Sequence, residues 1–489
     1  MIVLVNPWST PSKKTPLPMS LLALGGALEG AHDYAIVDGN LDPDPVSTIV
    51  ALHGRTPLTA LAVTVMPGPQ LATAVALSRA VRRALPRLPI VWGGYFPSQH
   101  AEACLQDGTA DVCVIGQGER TMRELADAIA GGDGWSGVAG IAYRHDGRVI
   151  RTAARPLVAL DELPEWPHHR VAMGRYLPSH YMGRRVASHH SSFGCPFACT
   201  FCAVVSIVQR KWVAESPERV GRVLDRLHGE YGADAVQFHD MDFFISEPRV
   251  ASIADHLRHL GMAWWALGRV DELMRYKTAT WERLRASGLK MVFCGAESGS
   301  SETLARMNKG GTASAELTLE LAARMKTYGV VPEFSFVVGN PPDPEGDLAG
   351  TLEFIRRLKA INPATEIILY TYSPVPLDGA FYAAVQAEGF RFPETLDEWV
   401  SERWQAFALR RDPRTPFSRG SVRRRVRDFE SVLNAFYPTV TDMRLTPARR
   451  VLLKALASVR YRFRWYAQPI ELRVMQRVLH YQRPETTGF

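Results

Sequence analysis

Residues 194–202 read Gly-Cys-Pro-Phe-Ala-Cys-Thr-Phe-Cys. Three of the chain's six cysteines, Cys195, Cys199 and Cys202, are spaced there by three residues and then two. Thiolates bind soft metals, and four of them close a structural zinc site. This loop offers three, with His189 and His190 shortly before it, so a Cys3His zinc site is one reading. Structural zinc sites more commonly use paired C-x2-C hairpins. The other reading places three thiolates on a cubane of four irons and leaves one iron open to a further ligand. An open iron can bind a molecule and pass an electron to it. Cys104, Cys113 and Cys294 stand singly in apolar or strand-like surroundings and read as small core residues. Six cysteines in so long a chain do not suggest a disulfide scaffold.

Something must hold that loop, and the pattern from about residue 186 to 400 says what. The strand "VASHHSSF" leads into the cysteines. Further strands are expected at 235–240, 262–268, 290–297, 332–339 and 366–373, separated by helical stretches such as "SPERVGRVLDRLHGEYG". Six strand–helix units predict an open (β/α)6 barrel, whose chemistry gathers at the carboxyl ends of its strands. Residues 1–150 alternate short apolar strands (2–5, 34–38, 60–65, 89–94, 111–116) with helices, the pattern of a doubly wound parallel sheet. Ligands of such sheets also sit at the strands' carboxyl ends. Those ends read NPW, DGN, MPGP, GGYFP and GQGE. A Pro-rich connector covers 151–185, where His168 and His169 read as exposed. Residues 401–489 read as a helical, Arg-rich tail with interleaved aromatics.

The chain has 489 residues, 46% hydrophobic and 22% charged, which fits two or three domains. No apolar run is long enough for a transmembrane helix. The opening "MIVLVNPWST" lacks a basic n-region and reads as a strand, so a cytoplasmic enzyme is expected. Net charge is +7, but residues 401–489 carry 19 Lys and Arg against 7 Asp and Glu. That basic tail fits nucleic acid, anionic lipid, a phosphorylated substrate or a solvated helical face. No Ser-His-Asp or other hydrolytic set is found.

The C-x3-C-x2-C loop after the first barrel strand, with aromatic Phe201 before the third cysteine, resembles the radical S-adenosylmethionine superfamily. A doubly wound domain ahead of the barrel resembles that superfamily's cobalamin-binding subgroup, over about residues 1–400. The resemblance implies a 4Fe–4S cluster on the three cysteines and S-adenosylmethionine chelating the open iron. Electron transfer then yields a 5′-deoxyadenosyl radical that abstracts hydrogen from substrate. It implies S-adenosylmethionine contacts from Phe201, from Asp240 or Asp242 to the amino group (unless one caps a helix), and from Arg269 to the carboxylate. A surface ion pair of Arg269 with Asp271 or Glu272 is the alternative. Glu297 and Ser298 take the ribose position, Gly339 the adenine position, and Lys309 in "ARMNKGGT" is a weaker candidate. For cobalamin it implies Pro18, Met66, Pro67, Gly93, Gly94, Tyr95, Gly116, Gly118 and Glu119. The Asp-x-His-x-x-Gly loop of other cobalamin proteins is absent, and Asn40 stands where the imidazole would be. Base-off cobalamin without a histidine ligand is therefore expected, with Met66 beneath the ring.

The activity these marks imply is methyl transfer to an unactivated carbon, with a radical cyclase or rearrangement enzyme as the alternative. A zinc-stabilised nucleic-acid-binding protein is a distant rival. A methylthiotransferase-like enzyme would need a second cluster loop, which the scattered cysteines do not supply. Expected partners are a small-molecule or lipid-like substrate and an external electron donor, with no nucleic acid. A peripheral membrane contact through the basic tail is a further expectation. The tail is also expected to cover the barrel mouth.

Overall fold

A computed structural model describes residues 1–9, 15–309, 313–375, 380–409 and 420–481. The first sheet contains β1 (Ile2–Asn6), β2 (Tyr34–Asp38), β3 (Ala60–Thr64), β4 (Ile90–Gly93), β5 (Val112–Val114), β6 (Ile141–His145) and β7 (Arg148–Arg151). Their order is β2-β1-β3-β4-β5-β6-β7. The first five strands are parallel, and β6 and β7 extend the sheet as an antiparallel hairpin. The sequence reading missed that hairpin, although Asp146-Gly147 between the two strands is a strong turn pair. The chain reverses its winding between β1 and β3, which makes their carboxyl ends the topological switch point. The crevice there is braced by buried polar groups. Asp38 accepts from Asn6 Nδ2 at 2.9 Å and from the Tyr176 hydroxyl at 2.8 Å, and Gln70 Nε2 donates to Asn6 Oδ1 at 2.8 Å.

Tyr176 belongs to the connector, which is therefore locked onto the first sheet. His168 in the connector is buried against Trp166 and Tyr231, contrary to the exposed position expected, while His169 is exposed. Its neighbours are aromatic and neither ring nitrogen finds a hydrogen-bond partner, so burial holds the ring neutral and carries a desolvation cost.

The second sheet is wholly parallel. It contains β8 (Val186–His189) and, after the short antiparallel pair β9 (Ser192–Gly194) and β10 (Trp212–Ala214), β11 (Ala235–Phe238), β12 (Ala263–Arg269), β13 (Leu289–Glu297), β14 (Val331–Val338) and β15 (Glu366–Thr371). The order β15-β14-β13-β12-β11-β8 leaves the first and last strands unpaired with each other, so the barrel is open. Period-2 alternation sorts the side chains into two layers. Val236, Trp264, Val292 and Phe334 face the helices, whereas Ala235, Trp265, Met291 and Phe293 pack inside the barrel with Ile368. The helices start where caps dictate: Ser216 accepts from Arg219 N and Asp343 from Gly346 N. Each cap is worth about 1 kcal/mol.

Beyond β15 the chain returns to the first domain. Phe390, Trp399, Trp404 and Phe407 join one core with Leu71, Trp92 and Phe96. The stretch up to residue 400, read as barrel, thus contains a segment that packs on the N-terminal sheet. The tail is helical as expected, with helices Gly420–Phe436, Pro447–Arg462 and Ile470–Leu479.

Candidate functional site

The cysteine loop leaves β9 at Gly194, whose φ is +92° and whose added Cβ would lie 2.1 Å from the Lys211 carbonyl oxygen. Only glycine fits there. Two bonds from a neighbouring turn hold the loop: Thr200 N donates to Met307 O at 3.0 Å, and Asn308 Nδ2 to Ala198 O at 3.0 Å. Burial pushes the Cys195 thiol up to about 12 and raises Cys202 as well. Without a bound cation these groups hold their protons, and a metal's positive charge is what would make them thiolates. Among the described residues, no three His, Cys, Asp or Glu side chains converge closely enough for a single ion. A zinc site requires such convergence at about 2.3 Å from each sulfur, whereas a cubane gives each cysteine its own iron. His189 is also committed elsewhere, with Nε2 2.8 Å from Glu215. The donor set fits a cluster better than zinc.

Cations surround the loop. Arg269, the last residue of β12, is buried and stacks on Phe197 with its guanidinium carbon 3.7 Å from the ring centroid. Its Nη1 reaches Cys199 Sγ at 3.4 Å. Its Nε and Nη2 grip Asp271 at 3.0 and 2.9 Å, and Nη2 also donates to the Lys309 carbonyl. Of the two readings the sequence offered, the ion pair with Asp271 is present, but it is buried and not at the surface. Lys309, with Nζ 5.8 Å from the Phe201 ring centroid, pairs with Glu297 at 2.6 Å. Burial works against its charge, but Glu297 and Cys199 outweigh that and raise its pKa. Glu297 sits at φ +63° beside a register shift between β13 and β14. A bulge of this kind re-aims a strand-end side chain. Gly310, Gly311 and Thr312 of the "ARMNKGGT" segment lie outside the described residues.

The two acidic candidates after β11 differ in what they touch, and neither caps a helix. Asp240 accepts from Ser191 N at 3.1 Å and from the hydroxyls of Ser191 and Ser192, so both oxygens are used in joining the ends of β8 and β11. Asp242 receives only Phe244 N, at 3.3 Å on Oδ1, while its buried Oδ2 has no partner. Burial raises its pKa to about 7, against the pull of Arg269. At the end of β14, Gly339 has φ +79°, and the neighbouring Asn340 Oδ1 is likewise buried without a partner. Ser298 donates to Asp347 at 3.3 Å instead of standing open. Two orphaned acceptors at two strand ends match a ligand that carries N–H and O–H donors, as S-adenosylmethionine does. Asn340 was not singled out in the sequence, although it directly follows Gly339.

The first domain presents its strand ends to this loop. Gln99 Nε2 donates to Ser206 Oγ at 2.8 Å and to Ala203 O at 3.2 Å, just after Cys202. The ends of β3, β4 and β5 are tied together: Val65 N to Gly93 O at 2.8 Å, Ser98 Oγ to Gly94 O at 2.7 Å and Gly116 N to Ser98 Oγ at 3.1 Å. Gly94 has φ +100°, and its added Cβ would crowd the Val65 backbone at 3.2 Å. Tyr95 opens the helix Tyr95–Gln99, and Gly118 precedes the helix that Glu119 opens. Burial raises the Glu119 carboxyl. Pro18 starts the helix Met19–Leu28 and is buried, and Pro67 is half-buried. Trp8 and Met66, after β1 and β3, are 39% and 47% exposed. Exposed apolar side chains at the switch point, beside close-packed glycine loops, fit a broad flat ligand such as cobalamin. Asn40 is tied to Ser9 N and Asp38 at 2.9 Å each.

Residues 11–126 match the B12 binding domain family, and residues 190–355 match the Radical SAM superfamily. The chain belongs to the radical S-adenosylmethionine enzymes that carry an N-terminal B12 binding domain. Its cofactors are a 4Fe–4S cluster, S-adenosylmethionine and cobalamin. It is 26% identical over 345 residues to an uncharacterized methyltransferase of Pyrococcus horikoshii, covering 70% of this chain and 73% of that protein. It is 25% identical over 320 residues to an anaerobic magnesium-protoporphyrin IX monomethyl ester cyclase of Synechocystis, covering 63% of this chain and 61% of the cyclase. The fold resembles the radical S-adenosylmethionine methyltransferase TsrM of Kitasatospora setae, with a TM-score of 0.65 and 18% identity over 80% of this chain and 76% of that one.

Proposed function

We propose that this enzyme transfers a methyl group to an unactivated carbon of a small-molecule or lipid-like substrate, with electrons from an external donor and no nucleic-acid partner. The observation that carries this reading is the meeting of the two sheets. The carboxyl ends of a B12 binding domain face the cysteine loop of a radical barrel through Gln99 and Ser206. Once bound, the cluster with S-adenosylmethionine supplies a carbon-centred radical and cobalamin supplies a transferable methyl.

The chain's own residues position these parts. Cys195, Cys199 and Cys202 hold the cluster. Asp242 accepts from the amino group of S-adenosylmethionine, Asn340 with the Gly339 backbone meets the adenosine, and Phe201 lines its side. Glu297 and Ser298 lie toward the ribose, and Arg269 keeps Cys199 in place more than it binds a carboxylate. Pro18, Met66, Pro67, Gly93, Gly94, Tyr95, Gly116, Gly118 and Glu119 form the cobalamin crevice. The same crevice supports base-off binding. Asn40 is held in its own loop, His100 is half-buried and packed among Phe96, Phe392 and Trp399, and exposed Met66 would lie toward the lower face. We place the domain limits near 1–150, 151–185, 186–400 and 401–489, with residues 385–407 packed on the first domain.

The alternative, ring closure, draws support from the cyclase relative. Methyl-labelled S-adenosylmethionine separates the two. Transfer gives a product heavier by one methylene that carries the label. An unlabelled product poorer in hydrogen overturns methyl transfer in favour of cyclisation.

A further inference from the structure

The last two helices expose apolar surface that the core does not need. Of the large hydrophobics exposed among the described residues, most lie between Val440 and Val478. On the helix Pro447–Arg462 the exposed Leu452, Leu456 and Val459, with Phe463 just beyond, follow i, i+4, i+7, i+11 and so share one face. The opposite face supplies buried Leu453, Ala457 and Tyr461 to the protein. On the helix Ile470–Leu479 the exposed Ile470, Val474 and Val478 repeat at i, i+4, i+8, while Leu472 is buried. The turn between these helices presents Phe463 at 78% exposure and Trp465 at 57%.

Charge accompanies the stripes. Residues 440–480 hold nine Lys and Arg against Asp442 and Glu471. Asp442 is buried, and Glu471 is ion-paired with Arg460. Arg449 and Arg462 border the first stripe and Arg477 the second. All three are exposed and make no ion pair among the described residues. Beside Trp465, a recess of about 550 Å³ is lined by Arg356, Arg424, Arg425 and Arg464, with Glu353 and Asp428 offsetting part of their charge. No helix is long and apolar enough to cross a membrane.

We propose that this helical hairpin docks on the surface of an anionic lipid bilayer. The apolar stripes and Phe463 sink into the acyl boundary, Trp465 sits at headgroup depth, and the arginines meet lipid phosphates. Amphipathic helices with a basic border and exposed Trp, Phe and Leu bind in this way, lying in the plane of the interface. A water-exposed patch of this extent otherwise carries an aggregation cost. The proposal stands on this surface alone and does not depend on methyl transfer.

The test is flotation of the full-length protein with phosphatidylglycerol–phosphatidylcholine vesicles, against vesicles of phosphatidylcholine only. The protein is expected to float with the anionic vesicles. The double variants Phe463→Ser/Trp465→Ser and Arg449→Glu/Arg462→Glu should each weaken binding about tenfold or more, and high salt should weaken it for the parent. These side chains are exposed, so both variants keep the circular dichroism and melting of the parent. Failure of the parent to float, or variants that float equally well, would overturn the proposal. So would a dimer of the parent in light scattering that Phe463→Ser/Trp465→Ser dissolves, because the stripe would then belong to a second copy.

Discussion

Asp240 and Asp242 share a loop yet carry different loads. Asp240 satisfies three donors from Ser191 and Ser192, so Asp240→Ala leaves buried donors unpaired. It should cost about 3 kcal/mol of stability in urea denaturation. Asp242 spends one oxygen on Phe244 N and leaves the other free. Asp242→Asn should therefore melt near the parent temperature but bind S-adenosylmethionine about tenfold or more weakly in anaerobic equilibrium dialysis. Equal loss of binding in both variants, with no difference in stability, would reject the division of labour. The sequence placed both carboxylates at a strand end, because the strand-like stretch Ala235–Phe238 stops just before them. It could not separate them, because the separation comes from serines about fifty positions earlier. The same holds for Arg269. Its place at the end of β12 was legible, whereas its commitment to Asp271 and Cys199 depends on which way the fork turns.

At the scale of elements, the hairpin β9–β10 aims the cysteine loop, and its narrowest point is Gly194. Gly194→Ala would set a methyl against the Lys211 carbonyl in a backbone conformation that L side chains rarely adopt. The variant is expected to fold its barrel, by circular dichroism, yet reconstitute with well under half the parent's iron. Full iron loading would refute the role assigned to the hairpin. Gly94→Val is the counterpart in the first domain: crowding of the Val65 backbone should reduce corrinoid uptake, read by absorbance, while iron content holds. The barrel and the doubly wound sheet were readable because their strands are short, mostly apolar runs separated by helical stretches. The hairpin β6–β7 was not, because beyond buried Ile141 and Ala142 its strands carry arginines and a histidine in place of an apolar alternation.

Over the whole molecule, three histidines sit in desolvating surroundings, His168 buried and His100 and His239 half-buried. His100 lies in the aromatic pack that joins residues 385–407 to the first domain, His168 in the connector and His239 at the end of β11. Burial lowers each to about 4. The unfolded chain takes up these protons near pH 6.5 and the folded chain does not, so stability is full above that value. It falls as the pH drops from about 6.5 toward 4, by up to about 1.4 kcal/mol per pH unit for each ring. Calorimetric melting between pH 7 and 4.5 should show this slope, and His100→Phe should flatten it. A variant with the parent's slope would show that His100 takes no part. His168 read as exposed because a Pro-rich connector carries no periodicity. Only the fold brings Trp166 and Tyr231 around it.

Gly339 ends a barrel strand at the proposed adenosine position, and the nearest neighbour an added Cβ would meet there is Val422, at 3.4 Å, on the first tail helix. The rim of the proposed reaction chamber is thus built from two distant stretches of sequence. Exchanging the tail between relatives would alter which molecules reach the radical while leaving the machinery that makes it untouched. Deleting the tail would instead open that chamber to water.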